Sequence, residues 1–157
     1  MTEAPVPTVE TMEATPEIPP APRKAKKGDS TYTWGTGRRK RAIARVRIRP
    51  GDGKFMVNKR EMEQYFVLDK DRHAVRTPLR VTDTLKTMDV FVNVGGGGIT
   101  GQSGAVLLGL ARALEKANLE FKPKLRENDL LKRDPRKVER KKYGQRGARR
   151  RFQFSKR

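Results

Sequence analysis

The chain has 157 residues, with 37 Lys and Arg against 18 Asp and Glu, a formal net charge of +19 and a mean hydropathy of −0.83. That length suits one domain with tails, and a body so charged repels itself until a polyanion neutralises it. Nucleic acid is the leading partner, because each neutralised phosphate releases counterions. An anionic membrane surface is the weaker rival, and no run of 18 apolar residues exists to span one. The absence of Cys excludes disulfides and thiolate metal sites. The lone His73 removes zinc clusters, argues against a Ser–His pair, and reads as a surface or packing residue.

Residues 1–30 hold six of the ten prolines, all in the first 22 positions, with four Glu and no Lys or Arg over that span. This composition predicts a disordered extension. It has neither the basic and apolar regions of a secretory signal nor the arginines of a transit peptide, so a reducing, cytoplasmic setting is expected. The charge changes sign at Arg23, and residues 23–157 carry +23, the total of +19 less the extension's −4.

Residues 31–131 read as a globular domain. "TWGTGRRKRA" places Gly35 and Gly37 around Thr36, followed by four cations, Arg38, Arg39, Lys40 and Arg41. "AIARVRIR" then alternates, with Ala42, Ala44, Val46 and Ile48 on one face and Ile43, Arg45, Arg47 and Arg49 on the other, which predicts a half-buried strand. A solvated charge run is the bland reading of the four cations. Their continuity with the strand's arginines favours a phosphate-binding surface carried on a sheet.

Pro50–Gly53 reads as a turn and "KFMVN" as the returning strand of a hairpin. "REMEQYF" and "DKDRHAVR" predict short helices, the second ended by Pro78. "MDVFVNV" predicts a strand with Val90, Val92 and Val94 on one face. "GGGGITGQSG" follows, then a helix, "AVLLGLARALEKA", with Leu107, Leu110, Ala111 and Leu114 as its core stripe and Arg112, Glu115 and Lys116 outward.

The glycine segment fits G-x-G-x-x-G at Gly96–Gly101. A dinucleotide site, however, needs a second parallel strand with a ribose-binding acid, and the polar stretch after Ala117 offers none. A P-loop needs Lys where Gln102 stands. Two readings remain and are compatible: tight packing through glycine, and backbone N–H groups around Gly97, Gly98, Gly101 and Gln102 meeting RNA phosphates at a helix N-terminus. The scattered acids form no pair suited to acid–base catalysis, and no cofactor is expected.

Residues 132–157 hold thirteen cations and two acids. Alone, such a segment predicts disorder. On RNA it can lie extended, with Arg140, Lys141, Lys142, Arg146, Arg149, Arg150 and Arg151 tracking phosphates and Tyr143, Phe152 and Phe154 stacking on bases. The bland alternatives are an unspecific appendage or a nuclear localisation signal.

Three blocks in order, "GTGRRKRAIARV", "GGGITGQSGAVLLGLARAL" and "ERKKYGQRGARRRFQFSKR", with "EQYF" and "RTPL" between the first two, resemble the bacterial form of the ninth small-subunit ribosomal protein family. The resemblance covers about residues 32–157 and leaves the extension unexplained. It implies an α/β (α+β) domain, a small mixed sheet backed by helices, similar to the second domain of the fifth small-subunit ribosomal protein, with a left-handed βαβ crossover and a long basic tail. It further implies a non-enzymatic component of the small subunit that binds ribosomal RNA in the subunit head beside neighbouring head proteins. The tail would reach the anticodon stem-loop of P-site tRNA, with Lys156 and Arg157 on phosphates and Ser155 as a hydrogen-bond partner.

Overall fold

Alternation of side chains builds the sheet. The computed structural model describes residues 32–155, so the expectation of a disordered Pro/Glu-rich segment lies outside the described residues. In β1 (Thr33–Arg39) Gly35 and Gly37 are buried while Trp34, Thr36 and Arg38 are exposed. In β2 (Ala42–Pro50) Ala42, Ala44, Val46 and Ile48 point into the core, as the pattern predicts. β3 (Phe55–Val57), β4 (Arg60–Glu61) and β5 (Met88–Gly95) complete a five-stranded sheet in the order β1-β2-β5-β3-β4. Val90, Val92 and Val94 of β5 face inward, as expected.

The pairing departs from expectation in one respect. β2 forms its hairpin with β1, antiparallel through the two-residue turn Lys40–Arg41, and its other edge pairs antiparallel with β5. β3 pairs with β5 in parallel and with β4 antiparallel, and so never returns along β2. The turn after β2 is responsible. The Asp52 and Lys54 N–H groups both donate to Asp89 Oδ1, and Gly51 N–H to the Thr87 carbonyl, which carries the chain past β5 to its far edge. β3 and β5 are thus parallel neighbours joined through β4, α1 (Met62–Tyr65) and α2 (Asp69–Val81), a βαβ unit.

Helix α2 runs through Pro78, which was expected to end it. Proline gives up its own bond to the preceding turn and crowds the carbonyl four residues back, a cost that other contacts must offset. Pro78 and Leu79 are buried, and the Thr82 hydroxyl donates back to the Pro78 carbonyl at 3.0 Å, so packing and capping offset the lost bond.

Helix α3 (Ile99–Ala117) starts six residues before the expected Ala105, because Gly101 and Gln102 N–H already bond the Gly98 carbonyl. Its buried surface exceeds the expected stripe: Leu110, Ala111 and Leu114 are buried, Leu107 is half-buried, and Ala105, Val106, Leu108, Gly109 and Ala113 are also covered. The cause is that α3 packs on β1 and β2 along one side and on α2 and α4 (Phe121–Glu127) along the other. Contact with β1 is close. A Cβ at Gly35 would strike the Gly109 carbonyl, and one at Gly37 the Ala105 carbonyl and the Gly109 backbone. Glycine in the strand and Ala105, Gly109 and Ala113 on the helix make that approach fit.

Candidate nucleic-acid interface

Every helix lies on one side of the sheet's core, so the opposite face of β1, β2 and β5 carries side chains in rows set by register. Arg38 stands opposite Ile43, which stands opposite Gly95. Thr36, Arg45 and Asn93 form the next row, and Trp34, Arg47 and Phe91 the one after. The three arginines treated alike in the sequence have different fates. Arg45 is exposed and free of any described hydrogen bond or ion pair. Arg47 is half-buried, its guanidinium carbon 5.2 Å from the Tyr32 ring centre, 5.4 Å from Phe91 and 5.9 Å from Trp34. Arg49 forks onto Asp89, with Nε and Nη2 each 3.1 Å from Oδ2, and Nη1 donates to the Tyr32 hydroxyl at 3.2 Å.

Asp89 is 3% exposed under the turn that follows β2. Burial pushes its carboxyl up, but the Lys54 N–H, the Arg49 guanidinium and the Asp52 N–H together hold it below the usual carboxylate range. Hydrogen bonding to Asp89 raises Arg49 in turn.

A second concentration of charge lies where the β1–β2 turn meets the start of α3. Gly96 and Gly97 adopt φ +78 and +63, and a Cβ at Gly96 would stand 2.6 Å from the Arg41 carbonyl, so only glycine lets this loop lie on the turn. The result is a cavity of about 700 Å³ lined by Lys40, Arg41, Gly97, Gly98, Gly101, Lys137 and their neighbours. No side chain caps the start of α3, so its first N–H groups are left to water or a ligand. Gln102 has a different task. It accepts from the Tyr65 hydroxyl at 2.7 Å and donates to the Gly96 carbonyl at 3.2 Å, bracing the loop from behind. Gly101 is buried, and a Cβ there would make only ordinary contacts at 3.8 Å.

Arg39 is not a free cation either. It donates to the Thr100 carbonyl at 3.0 Å and pairs with Asp134 at 3.0 Å, tying the segment after α4 to the start of α3. The Arg136 side chain and N–H, aided by Arg39, hold the Asp134 carboxyl well below the usual range. Beyond this tie no helix or strand occurs up to Ser155. Arg140, Lys141, Lys142, Tyr143, Arg146, Arg150, Arg151, Phe152, Phe154 and Ser155 are exposed, with Tyr143 and Phe154 almost fully bare. Arg149 is exposed but forked on Glu139 at 2.7 and 3.1 Å, which holds that carboxyl down. Arg146 lies 5.1 Å over the Phe152 ring. Lys156 and Arg157 lie outside the described residues.

Sequence reasoning missed Tyr32, Trp34 and Phe91, although Tyr32, Trp34, Thr36 and Arg38 alternate with period two. It missed Lys137 as a lining residue, although the basic run pointed there, and it missed Asp89, for which no local signal existed. No strand follows α3 among the described residues, so the dinucleotide arrangement has no second half. No group of His, Asp or Glu able to hold a metal occurs among the described residues. No helix there is long and apolar enough to cross a membrane.

Unpaired cations on the open face, the helix end and the segment after α4 together define a basic α/β protein of the RNA-binding class. The match is more specific than that class. The family model for ribosomal protein S9/S16 covers residues 37–157, and the chain belongs to that family. It is accordingly a structural, non-enzymatic component of the small ribosomal subunit, ribosome-associated, with ribosomal RNA and other ribosomal proteins as partners.

Proposed function

We propose that the chain is held on ribosomal RNA of the subunit head, on cytoplasmic ribosomes, by two surfaces, and that its tail contacts tRNA in the P site. The first surface is the cavity of Lys40, Arg41, Gly97, Gly98 and Lys137, where N–H groups and cations converge on phosphates. The second is the sheet face with Arg38 and Arg45. Residues 132–157 act as the extended RNA-binding tail of a domain spanning residues 31–131, with Ser155, Lys156 and Arg157 against the anticodon stem-loop.

The observation that carries this reading is the tie of Arg39 to Asp134, followed by a segment in which Tyr143 and Phe154 have almost nothing to pack on. Residues 135–157 can span up to about 75–80 Å when extended, far beyond a domain whose radius of gyration is about 13 Å. Bare Tyr143 and Phe154 among cations match the stacking-plus-phosphate pattern of single-stranded RNA binding.

The test is tRNA dissociation, at fixed salt, from small subunits carrying tail variants. Deleting residues 155–157 touches no described core residue and should accelerate dissociation about tenfold, a typical loss for a partly compensated charge-assisted contact. Arg157→Lys should be milder and Arg157→Glu more severe. Equal off-rates for wild type, deletion and Arg157→Glu would remove the tRNA contact from the proposal.

A further inference from the structure

We infer that the aromatic end of the open sheet face, Tyr32, Trp34 and Phe91 with Arg47 and Arg49 between them, is a stacking platform for unpaired nucleotides of ribosomal RNA. This rests on the RNA-facing reading of the sheet and gives that face a chemical preference, for base faces over duplex backbone.

The platform is preassembled. The Tyr32 and Phe91 rings meet edge to face at 6.1 Å and 82°. Arg47 fills the space among the three rings, and Arg49 lies within 5.6 Å of Tyr32 and 5.3 Å of Phe91. Asp89 fixes the Arg49 guanidinium, which in turn holds the Tyr32 hydroxyl. Arg49 is a poor partner for phosphate, because its donors are already in use, and Arg47 has its faces turned to the rings. What they leave open is planar surface: Trp34 is 51% exposed although it stands on a sheet strand of the domain. An indole beside a guanidinium offers a base two kinds of π contact, ring stacking and cation–π.

The adjoining rows extend the fit. Beside Trp34, Arg47 and Phe91 stand Thr36, Arg45 and Asn93, and beyond them Arg38. Thr36 and Asn93 are exposed and can reach base edges. Arg45 and Arg38 are free for phosphates, and the line continues into Lys40 and Arg41 at the glycine loop. Bases, base edges and backbone of one strand thus find matching groups in order. In A-form duplex RNA the base faces are buried in the stack, so only unpaired nucleotides can use the platform. The line of unpaired arginines favours RNA over a protein as the occupant.

Trp34 is the only tryptophan of the chain, so its fluorescence reports on this face alone. The full-length protein is titrated with a single-stranded oligoribonucleotide of mixed sequence and with a duplex of equal length, following Trp34 emission and the anisotropy of end-labelled RNA. Saturable quenching by the single strand and much less by the duplex is expected. Trp34→Ala, which removes an exposed side chain and should leave the melting curve in place, should weaken single-strand binding roughly tenfold. It should do so without changing the salt slope, whereas Arg45→Ala should lower that slope by about 0.7 to 0.9. Trp34→Phe should restore most of the affinity. Single-strand binding with no quenching and no effect of Trp34→Ala overturns the platform while leaving RNA binding elsewhere intact. Equal quenching by the duplex overturns the preference for unpaired bases. In assembled subunits, a photocrosslinker at Asn93 that captures a protein instead of RNA overturns the choice of occupant. Absence of RNA binding by any probe overturns the RNA-facing reading itself.

Discussion

A methyl group at position 98 separates folding from RNA binding. Gly98 precedes α3 at φ −100 and ψ 167, extended backbone open to any L-residue, and a Cβ there meets nothing within 4 Å. Gly98→Ala should therefore leave the free protein's stability nearly unchanged, since the entropy gain of about 0.4–1 kcal/mol is offset by alanine's poorer fit at the N-cap of α3. On RNA the change is costly. A phosphate bonded to the loop N–H groups sits about 3 Å from the backbone, and the methyl takes space it needs. Losing a hydrogen bond to a charged acceptor costs about 1.5–3 kcal/mol, and Lys40, Arg41 and Lys137 around the same cavity should absorb part of that, leaving about a tenfold loss of affinity. Gly97→Ala is the contrasting control. At φ +63, with its Cβ 3.3 Å from the Ala42 nitrogen, it should destabilise the fold itself by about 1–2 kcal/mol. The assay is thermal melting beside anisotropy with a labelled fragment of small-subunit ribosomal RNA at one salt concentration. A Gly98→Ala protein that both melts and binds like wild type would show that no phosphate reaches this loop.

Gly109→Val should be more damaging than either loop change, because its Cβ would lie 2.8 Å from Val46 Cγ2 and 3.0 Å from the Gly37 nitrogen. Overpacking here should cost about 1–3 kcal/mol, read by urea denaturation. Asp89, held below its ordinary value of 3.8, contributes stability that is complete above that value and is lost as pH falls through its lower folded value. The melting temperature should therefore drop as pH falls below 3.8, and Asp89→Asn should melt lower at neutral pH with a shallower acid decline.

β2, β5 and the body of α3 were legible because their apolar positions keep the periods of strand and helix. β1 was not, because its inward positions are Gly35 and Gly37. Their packing value appears only once Ala105 and Gly109 of α3 lie on them, and the cations that follow mask the alternation. The hairpin expected between β2 and β3 followed the rule that near neighbours pair. It failed because Asp89, thirty-five residues beyond Lys54, captures the turn. Arg45, Arg47 and Arg49 share one strand face and one residue type, so their division into a free cation, a stacked one and an ion-paired one depends on residues across β1 and β5. The tail's cationic character was legible from composition, but its fastening by Arg39 required Asp134 to be found beside Thr100.

The few acids among the excess of cations act on direction more than on stability. Exposed ion pairs stabilise a fold only slightly, so Arg149–Glu139 is a weak staple, while Arg39–Asp134 is half-buried. Their geometry is informative nonetheless. Arg39 joins Asp134 to the carbonyl of Thr100, and three residues later Lys137 lines the cavity formed by the glycine loop and the β1–β2 turn. The tail therefore leaves the domain from the side where the start of α3, Lys40 and Arg41 converge, so one RNA segment can meet all of them. Arg149 is forked on a carboxylate in the same planar manner that it would fork on a phosphate. Exchanging Glu139 for a phosphate would keep the guanidinium's two bonds in kind.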